Sequence, residues 1–275
     1  MKKVLVITGS PRKGDSYRLT KMIEERVKER GAVDFKYIFL KDLNLEHCRG
    51  CLTCMKKSEE FCPIKDDALM LRDELLGADG VIFVSPVYVH QITALLKNFF
   101  DRFAYFMHRP SFHERCALIV STTELSGLNE TMKYLEFPVR CWGFNLIGTI
   151  GAIVDPFMEE GKYREGVLKE IRTVAGKFYD ALHSRERPRP SLHDVQFFNK
   201  IKTKIVLHRE KLPYDFQFWK EKGWLQANYF YDTPINPLFR ILGPLPVRII
   251  KLVMRIRFGR EIYMKLMGTS ETGEI

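Results

Sequence analysis

Lys3-Val4-Leu5-Val6-Ile7-Thr8-Gly9-Ser10-Pro11-Arg12-Lys13-Gly14-Asp15-Ser16 decides how this chain folds. A β-branched apolar run stops at a loop of small, polar and turn-forming residues. Apolar spacing at Leu19, Met22, Ile23 and Val27 then predicts a helix. The strand, loop and helix repeat along the chain. A strand is expected near 33–40, a helix begun by Asp66 and Asp67 as caps, a buried strand over 80–84 and a helix from about Ile92 to Tyr105. A strand over 116–121, a helix over 129–141, a strand over 144–153 and a last helix over 162–183 follow. Five alternations predict an α/β protein with a doubly wound, five-stranded parallel sheet covered on both faces. Ligands of such sheets bind beyond the carboxyl ends of the strands. That directs attention to loops 9–16, 85–91 and 121–128.

The 275 residues suffice for one full-sized core plus an appendage. A break at Arg185-Glu-Arg-Pro-Arg-Pro190 divides the chain into 1–187 and 188–275. The N-terminal apolar run is too short for a secretory signal, and Arg or Lys interrupts every candidate membrane span. Cys116 and Cys141 lie in apolar surroundings typical of buried free thiols, so a cytoplasmic location with reduced thiols is expected. The net charge of +10 is uneven: residues 188–275 carry a net +7 and residues 1–187 a net +3.

Loop 9–16 suits a phosphate monoester. Ser10 and Ser16 supply hydroxyls, Arg12 a cation, and the helix start free N–H groups. It is neither a Walker A loop nor a Gly-x-Gly-x-x-Gly turn, and the plainer alternative is an ordinary loop capped by Ser16. The second loop is Ser85-Pro86-Val87-Tyr88-Val89-His90-Gln91, followed by Leu96-Lys97-Asn98-Phe99-Phe100-Asp101-Arg102. An apolar loop carrying Tyr88 suits a flat ring, with backbone amides available to its edge. His90 reads as a bystander, and Lys97, Asp101 and Arg102 as ion-pairing or dimer-contact residues.

With these two motifs in order, the chain resembles the flavodoxin-like NAD(P)H-dependent FMN reductases over about residues 1–185, though not over the last 90. The resemblance implies FMN as cofactor, its phosphate on the loop of Ser10, Arg12 and Ser16, and Pro86, Val87 and Tyr88 beside the isoalloxazine ring. By position in the fold it also implies Thr122, Thr123 and Glu124 along the flavin and its ribityl chain. No protein side chain need be catalytic, because the flavin carries the chemistry.

Within loop 47–63, Cys48-Arg-Gly-Cys51-Leu-Thr-Cys54 is followed after seven residues by Cys62. Repeated two-residue gaps let successive thiols turn inward around an iron-sulfur cluster. Structural zinc, which favours two separated knuckles, and unmetallated thiols are the other readings. Among flavodoxin-like proteins the chain is most similar to the iron-sulfur flavoproteins, which insert such a loop after the second strand. That resemblance implies a 4Fe-4S cluster on Cys48, Cys51, Cys54 and Cys62, electron transfer to or from FMN, and a homo-oligomer, dimer or tetramer. It also implies NAD(P)H or ferredoxin as donor and a small-molecule or protein acceptor. A cluster-free FMN or quinone reductase is the alternative within enzymes. Lys56 and Lys57 read as solvated.

Beyond Pro190 the chain is rich in aromatics, reads as irregular at first, and ends in a basic stretch. Residues 236–268 hold seven basic residues and one acidic, with Arg248, Lys251 and Arg255 opposite Ile249, Val253 and Ile256 at helical spacing. Such a segment packs on the core or a second subunit, or lies peripherally on an anionic membrane, with Arg257 limiting its depth. A binding protein using this segment is the alternative from another class. No nucleic-acid motif organises the basic and aromatic residues.

Overall fold

The structure is a computed structural model that describes residues 1–154, 163, 165–184, 187–249, 252, 253 and 256. It divides into two compact units, Met1–Cys51 with Pro63–Arg187, and Leu52–Cys62 with Pro188–Ile275.

The first unit follows the alternation expected from sequence. Its elements in chain order are β1 (Lys2–Thr8), α1 (Asp15–Lys28) and β2 (Val33–Phe39). After a short helical turn α2 (Thr53–Lys56), which belongs to the second unit, come α3 (Ala68–Gly77), β3 (Gly80–Pro86) and α4 (Ala94–Arg102). The unit ends with β4 (Cys116–Thr123), α5 (Leu128–Cys141), β5 (Asn145–Ile153) and α6 (Glu165–His183). All neighbouring strands pair in parallel, in the order β2-β1-β3-β4-β5. This is the flavodoxin-like order, and its direction of winding reverses between β1 and β3, where such sheets open a crevice at their carboxyl ends.

Alternating side chains of the buried strands fill two layers. Val4, Val6, Ile82, Val84, Leu118 and Val120 meet Leu19, Ile23 and Val27 of α1 and Phe178 and Leu182 of α6. On the opposite face Phe83 packs against Phe99, Phe100, Trp142 and Phe144 at ring separations of 5.7–6.4 Å. Each such fully buried side chain contributes roughly 1.5–3 kcal/mol.

One helix is shorter than its apolar spacing implies. The pattern predicts Ile92 to Tyr105, but Thr93 caps α4 at one end and a 3₁₀ turn over Ala104–Met107 replaces its last stretch. Asp67 sits at the N-cap of α3 without a side-chain capping bond, and only Asp66 accepts from the Ala68 amide, at 3.2 Å. The start expected at 162 for the last helix lies outside the described residues.

In the second unit the aromatic stretch is helical as far as Trp219, whereas Trp224, Tyr229, Phe230 and Tyr231 lie in the turns and irregular chain that follow. Ser191 and Asp194 form a capping box that starts α7 (Leu192–Leu207), and Pro213 at the first position starts α8 (Pro213–Glu221). Phe198, Ile205, Trp219, Trp224 and Phe230 form its core, where the Trp224 indole N–H donates to Phe230 O at 2.8 Å. The short α2 packs on α8, and α9 (Pro237–Leu242) packs on α7. Most of the basic segment beyond residue 249 lies outside the described residues.

Candidate functional site

The crevice at the switch point is built by Thr93. Its hydroxyl donates to Gly9 O at 2.9 Å and accepts the Leu96 amide, capping α4. Its own amide donates to Ser85 Oγ at 3.1 Å, and Gly9 N donates to Val84 O at 2.8 Å. The carboxyl ends of β1 and β3 are thereby fastened to one helix start. A Cβ at Gly9 would lie 2.5 Å from Thr93 Oγ1 and 2.7 Å from Leu96 Cβ, so the close approach requires glycine. A threonine just ahead of an apolar helix is an N-cap signal that the helical spacing from Ile92 obscured.

Above this junction lies a cavity of about 340 Å³, inside the roughly 300–1,000 Å³ typical of small-molecule sites. Ser10, Arg12, Ser16, Pro86, Val87, Tyr88, Thr122, Thr123 and Glu124 all line it. So do residues that sequence reasoning left aside, among them Asp15, Val89, His90, Leu125, Ser126 and Val154.

At one end the first loop folds on itself. Ser10 Oγ donates to Arg12 O at 2.6 Å and accepts the Arg12 amide, which fixes the turn. The N-cap of α1 is Gly14 rather than Ser16, and no side chain caps it, so the helix start keeps its positive end open. Among the described residues the Arg12 guanidinium has no protein partner, whereas Lys13 lies over the Tyr17 and Phe39 rings. The acid of this loop, Asp15, is held by Arg18 at 3.3 Å and by the Tyr163 hydroxyl at 3.4 Å. An exposed cation, two buried serines and an open helix start make a fitting cradle for a phosphate.

The second loop is a tight hairpin. Tyr88 N donates to Gln91 O at 2.8 Å and Gln91 N to Tyr88 O at 3.0 Å, while Val89 and His90 both take positive φ, 49° and 60°. The Val87 amide donates to Thr122 O. The amides expected to face a ring edge are therefore mostly spent inside the protein, leaving those of Val89 and His90 at the tip. His90, expected to be a bystander to the chemistry, has a structural contact: its Nε2 lies 3.0 Å from Ser126 Oγ and joins the second loop to the third. The third loop is closed by Thr123 Oγ1, which donates to Ser126 O at 2.8 Å. Gly127, at φ 81°, lies against His90 and could not carry a side chain there: a Cβ would meet His90 Cα at 2.7 Å.

The cysteine stretch divides between the units, Cys48 and Cys51 in the first and Cys54 and Cys62 in the second. Cys48 and Cys51 are exposed, and Cys54 and Cys62 partly so. Gly50 N donates to Cys48 Sγ at 3.4 Å, and Gly50 and Leu52 both take left-handed φ, 64° and 60°, which turns the chain sharply between successive cysteines. Among the described residues no group of three or more Cys, His, Asp or Glu is arranged to hold a metal ion. Lys56 and Lys57 are exposed. Cys116 is buried, which pushes its thiol pKa up to about 12 and removes it as a reactive thiolate.

The root of the cysteine loop is tied to α4. Asn98 donates to Leu45 O at 2.7 Å and Arg102 to Glu46 O at 2.8 Å, while Asp66 and Asp67 accept the Glu46 and Asn44 amides. Lys97 pairs with Asp101 on the same helix, at 2.7 Å to Oδ2. One helix thus carries the cavity junction at its start and the cysteine-loop root along its length.

A family model described as NADPH-dependent FMN reductase matches residues 2–149. An iron-sulfur flavoprotein of Archaeoglobus fulgidus is 30% identical over 227 residues, covering 81% of this chain and 100% of its own length. One of Clostridioides difficile is 29% identical over 210 residues, covering 74% and 88%. The apo crystal structure of the NADH:FMN oxidoreductase EmoB superposes with a TM-score of 0.51 at 20% identity, covering 70% of this chain and 99% of that one, a likeness of fold. A match over 81% of the chain is longer than residues 1–187 can supply, so the similarity runs into the C-terminal extension, where the sequence motifs implied none. The chain belongs to the NADPH-dependent FMN reductase family of flavodoxin-like proteins, close to the iron-sulfur flavoproteins, and is an FMN-dependent oxidoreductase.

Proposed function

We propose that the protein is an electron-transfer flavoprotein with FMN in the crevice and, as a second redox centre, a 4Fe-4S cluster held by Cys48, Cys51, Cys54 and Cys62. The observation that carries the FMN assignment is the meeting of Ser10, Arg12, Ser16, Pro86, Val87, Tyr88, Thr122, Thr123 and Glu124 around one cavity at the switch point. The cluster rests on the spacing of the four cysteines, on the Gly50 amide directed at Cys48 Sγ, and on the names of the relatives.

FMN when bound exchanges electrons singly or in pairs, and a cluster exchanges them one at a time. The chain supplies binding and orientation. Arg12 and the open start of α1 neutralise the phosphate, the Ser16 hydroxyl completes its shell, and Ser10, whose hydroxyl donates to Arg12 O, fixes the turn that presents them. Tyr88, half exposed at the mouth, offers a face to the flat ring, and Pro86 and Val87 give it an apolar floor. Thr122, Thr123 and Glu124 accept or donate along the hydroxylated chain. The His90–Ser126 contact holds the two sides of the crevice at one spacing. An electron donor such as NAD(P)H or ferredoxin, a small-molecule or protein acceptor, and assembly as a dimer or tetramer accompany this reading.

Anaerobic purification followed by an absorbance spectrum and a count of flavin and iron tests it. The expected result is bound FMN, broad absorbance near about 400 nm and about four iron atoms per chain. Iron below one atom per chain beside an intact flavin spectrum would leave a cluster-free NAD(P)H-dependent FMN or quinone reductase. Failure to take up FMN on titration would remove the cavity assignment itself.

A further inference from the structure

The last described segment of the chain carries an apolar face that no other part of the described residues covers. Leu238, Ile241, Leu245, Ile249, Leu252 and Ile256 recur at helical spacing through α9 and, past turns at Gly243 and Pro244, through a second helical stretch over 245–249. All six are exposed, between 36% and 75%. The segment does not lie loose: its other side rests on α7. A Cβ at Gly243 would meet Val195 Cγ1 at 2.5 Å, and Val247 is buried. The side that packs is therefore distinct from the apolar side left in solvent, and packing on the core does not account for the pattern.

Charge selects among the occupants. Residues 236–268 hold seven basic residues and one acidic. The spacing sets Arg240 and Arg248 along the side next to the apolar one. Two copies of this face brought together would confront two strongly positive segments, whereas an anionic lipid surface takes up both the charge and the apolar side chains. Arg240 further lines a cavity of about 330 Å³ with Lys222, Tyr229 and Tyr231, where Asp232 is the acid present. Phenols and cations together suit the headgroup level of a bilayer. Among the described residues no helix is long and apolar enough to cross one.

We infer that the segment beginning at α9 docks the protein on an anionic membrane surface, lying in the plane of the interface. The test is co-sedimentation of the full chain with phosphatidylcholine vesicles, with and without about one third phosphatidylglycerol. The chain should pellet with the anionic vesicles and not the neutral ones, and salt should release it. Ile241→Glu with Ile249→Glu should abolish pelleting. Arg240→Glu with Arg248→Glu should weaken it roughly tenfold or more. Both positions of each variant are exposed, and unchanged near-ultraviolet circular dichroism from Trp219 and Trp224, which lie in the core of the same unit, reports an intact fold. Equal pelleting with neutral vesicles, none with either, or wild-type binding by both double variants would overturn the inference. So would self-association that the Ile241→Glu, Ile249→Glu variant abolishes while no vesicle binding occurs. None of these outcomes depends on the cluster.

Discussion

Arg102 clasps Asp66 with both terminal guanidinium nitrogens, Nη2 at 2.9 Å from Oδ1 and Nη1 against Oδ2, with side-chain exposures of 3% and 0%. Burial alone would raise the Asp66 pKa, but hydrogen bonds from Arg102 and from the Glu46 and Ala68 amides outweigh it and hold the carboxyl below its usual range. A folded-state pKa below the unfolded one adds stability above about pH 4, and that stability is lost as pH falls through the folded value. Arg102→Met should cost about 3–5 kcal/mol, because it leaves a buried charge without its cation. Asp66→Asn should flatten the acid limb of stability. Urea midpoints between pH 7 and 3 check both; an Asp66→Asn profile parallel to wild type would show that the pair does not set the acid limit.

Thr93 joins three chain segments through one hydroxyl and one amide, so its loss should show in the cofactor. Thr93→Val keeps the shape, strips the donor from Gly9 O and uncaps α4, for about 1–3 kcal/mol. FMN should dissociate faster, and Thr93→Ser should restore the wild-type rate. Gly9→Ala should be worse than either, since its Cβ meets both Thr93 and Leu96. A fluorescence-recovery assay for released flavin reads all three, and full FMN retention by Thr93→Val would refute the role given to this hydroxyl.

Val89 is 97% exposed with φ 49°, a β-branched residue in a region that costs L-residues roughly 1–2 kcal/mol. No packing repays that cost. Val89→Asn should therefore raise the melting temperature by a few degrees while leaving the hairpin of Tyr88 and Gln91 in place. A lowered melting temperature would mean that Val89 is not strained there.

How far the sequence carries the reader depends on the range of the signal. The strand, loop and helix at the N-terminus were legible because apolar period and turn residues act locally, and the same signal located all three loops of the cavity. Interactions between distant residues were not. Asp66 and Asp67 read as caps of the helix they precede, whereas the clasp of Asp66 by Arg102 is made across 36 residues. His90 looked incidental because Ser126, its partner, lies another 36 residues on. Apolar spacing ran through Ile92 to Tyr105 without showing that Thr93 would start the helix late. Aromatic density past Pro190 obscured a separate helical core, because Trp219, Trp224 and Phe230 are not periodic until they pack together.

Arg12 separates a phosphate site from an ordinary capped loop. Its guanidinium lies at the cavity beside the open start of α1, with no protein group among the described residues to neutralise it. A charge-assisted bond to phosphate is worth about 1.5–3 kcal/mol, so Arg12→Ala should weaken FMN binding roughly ten- to hundredfold. Riboflavin has the same ring and hydroxylated chain but no phosphate, and its affinity should not change. Stability should also hold, since the side chain is exposed and unpartnered. Titrating apoprotein with each flavin by fluorescence quenching gives the comparison directly. Equal losses for FMN and riboflavin would mean that the Arg12 side chain serves the ring or the hydroxylated chain, and the phosphate would have to be sought elsewhere in the crevice.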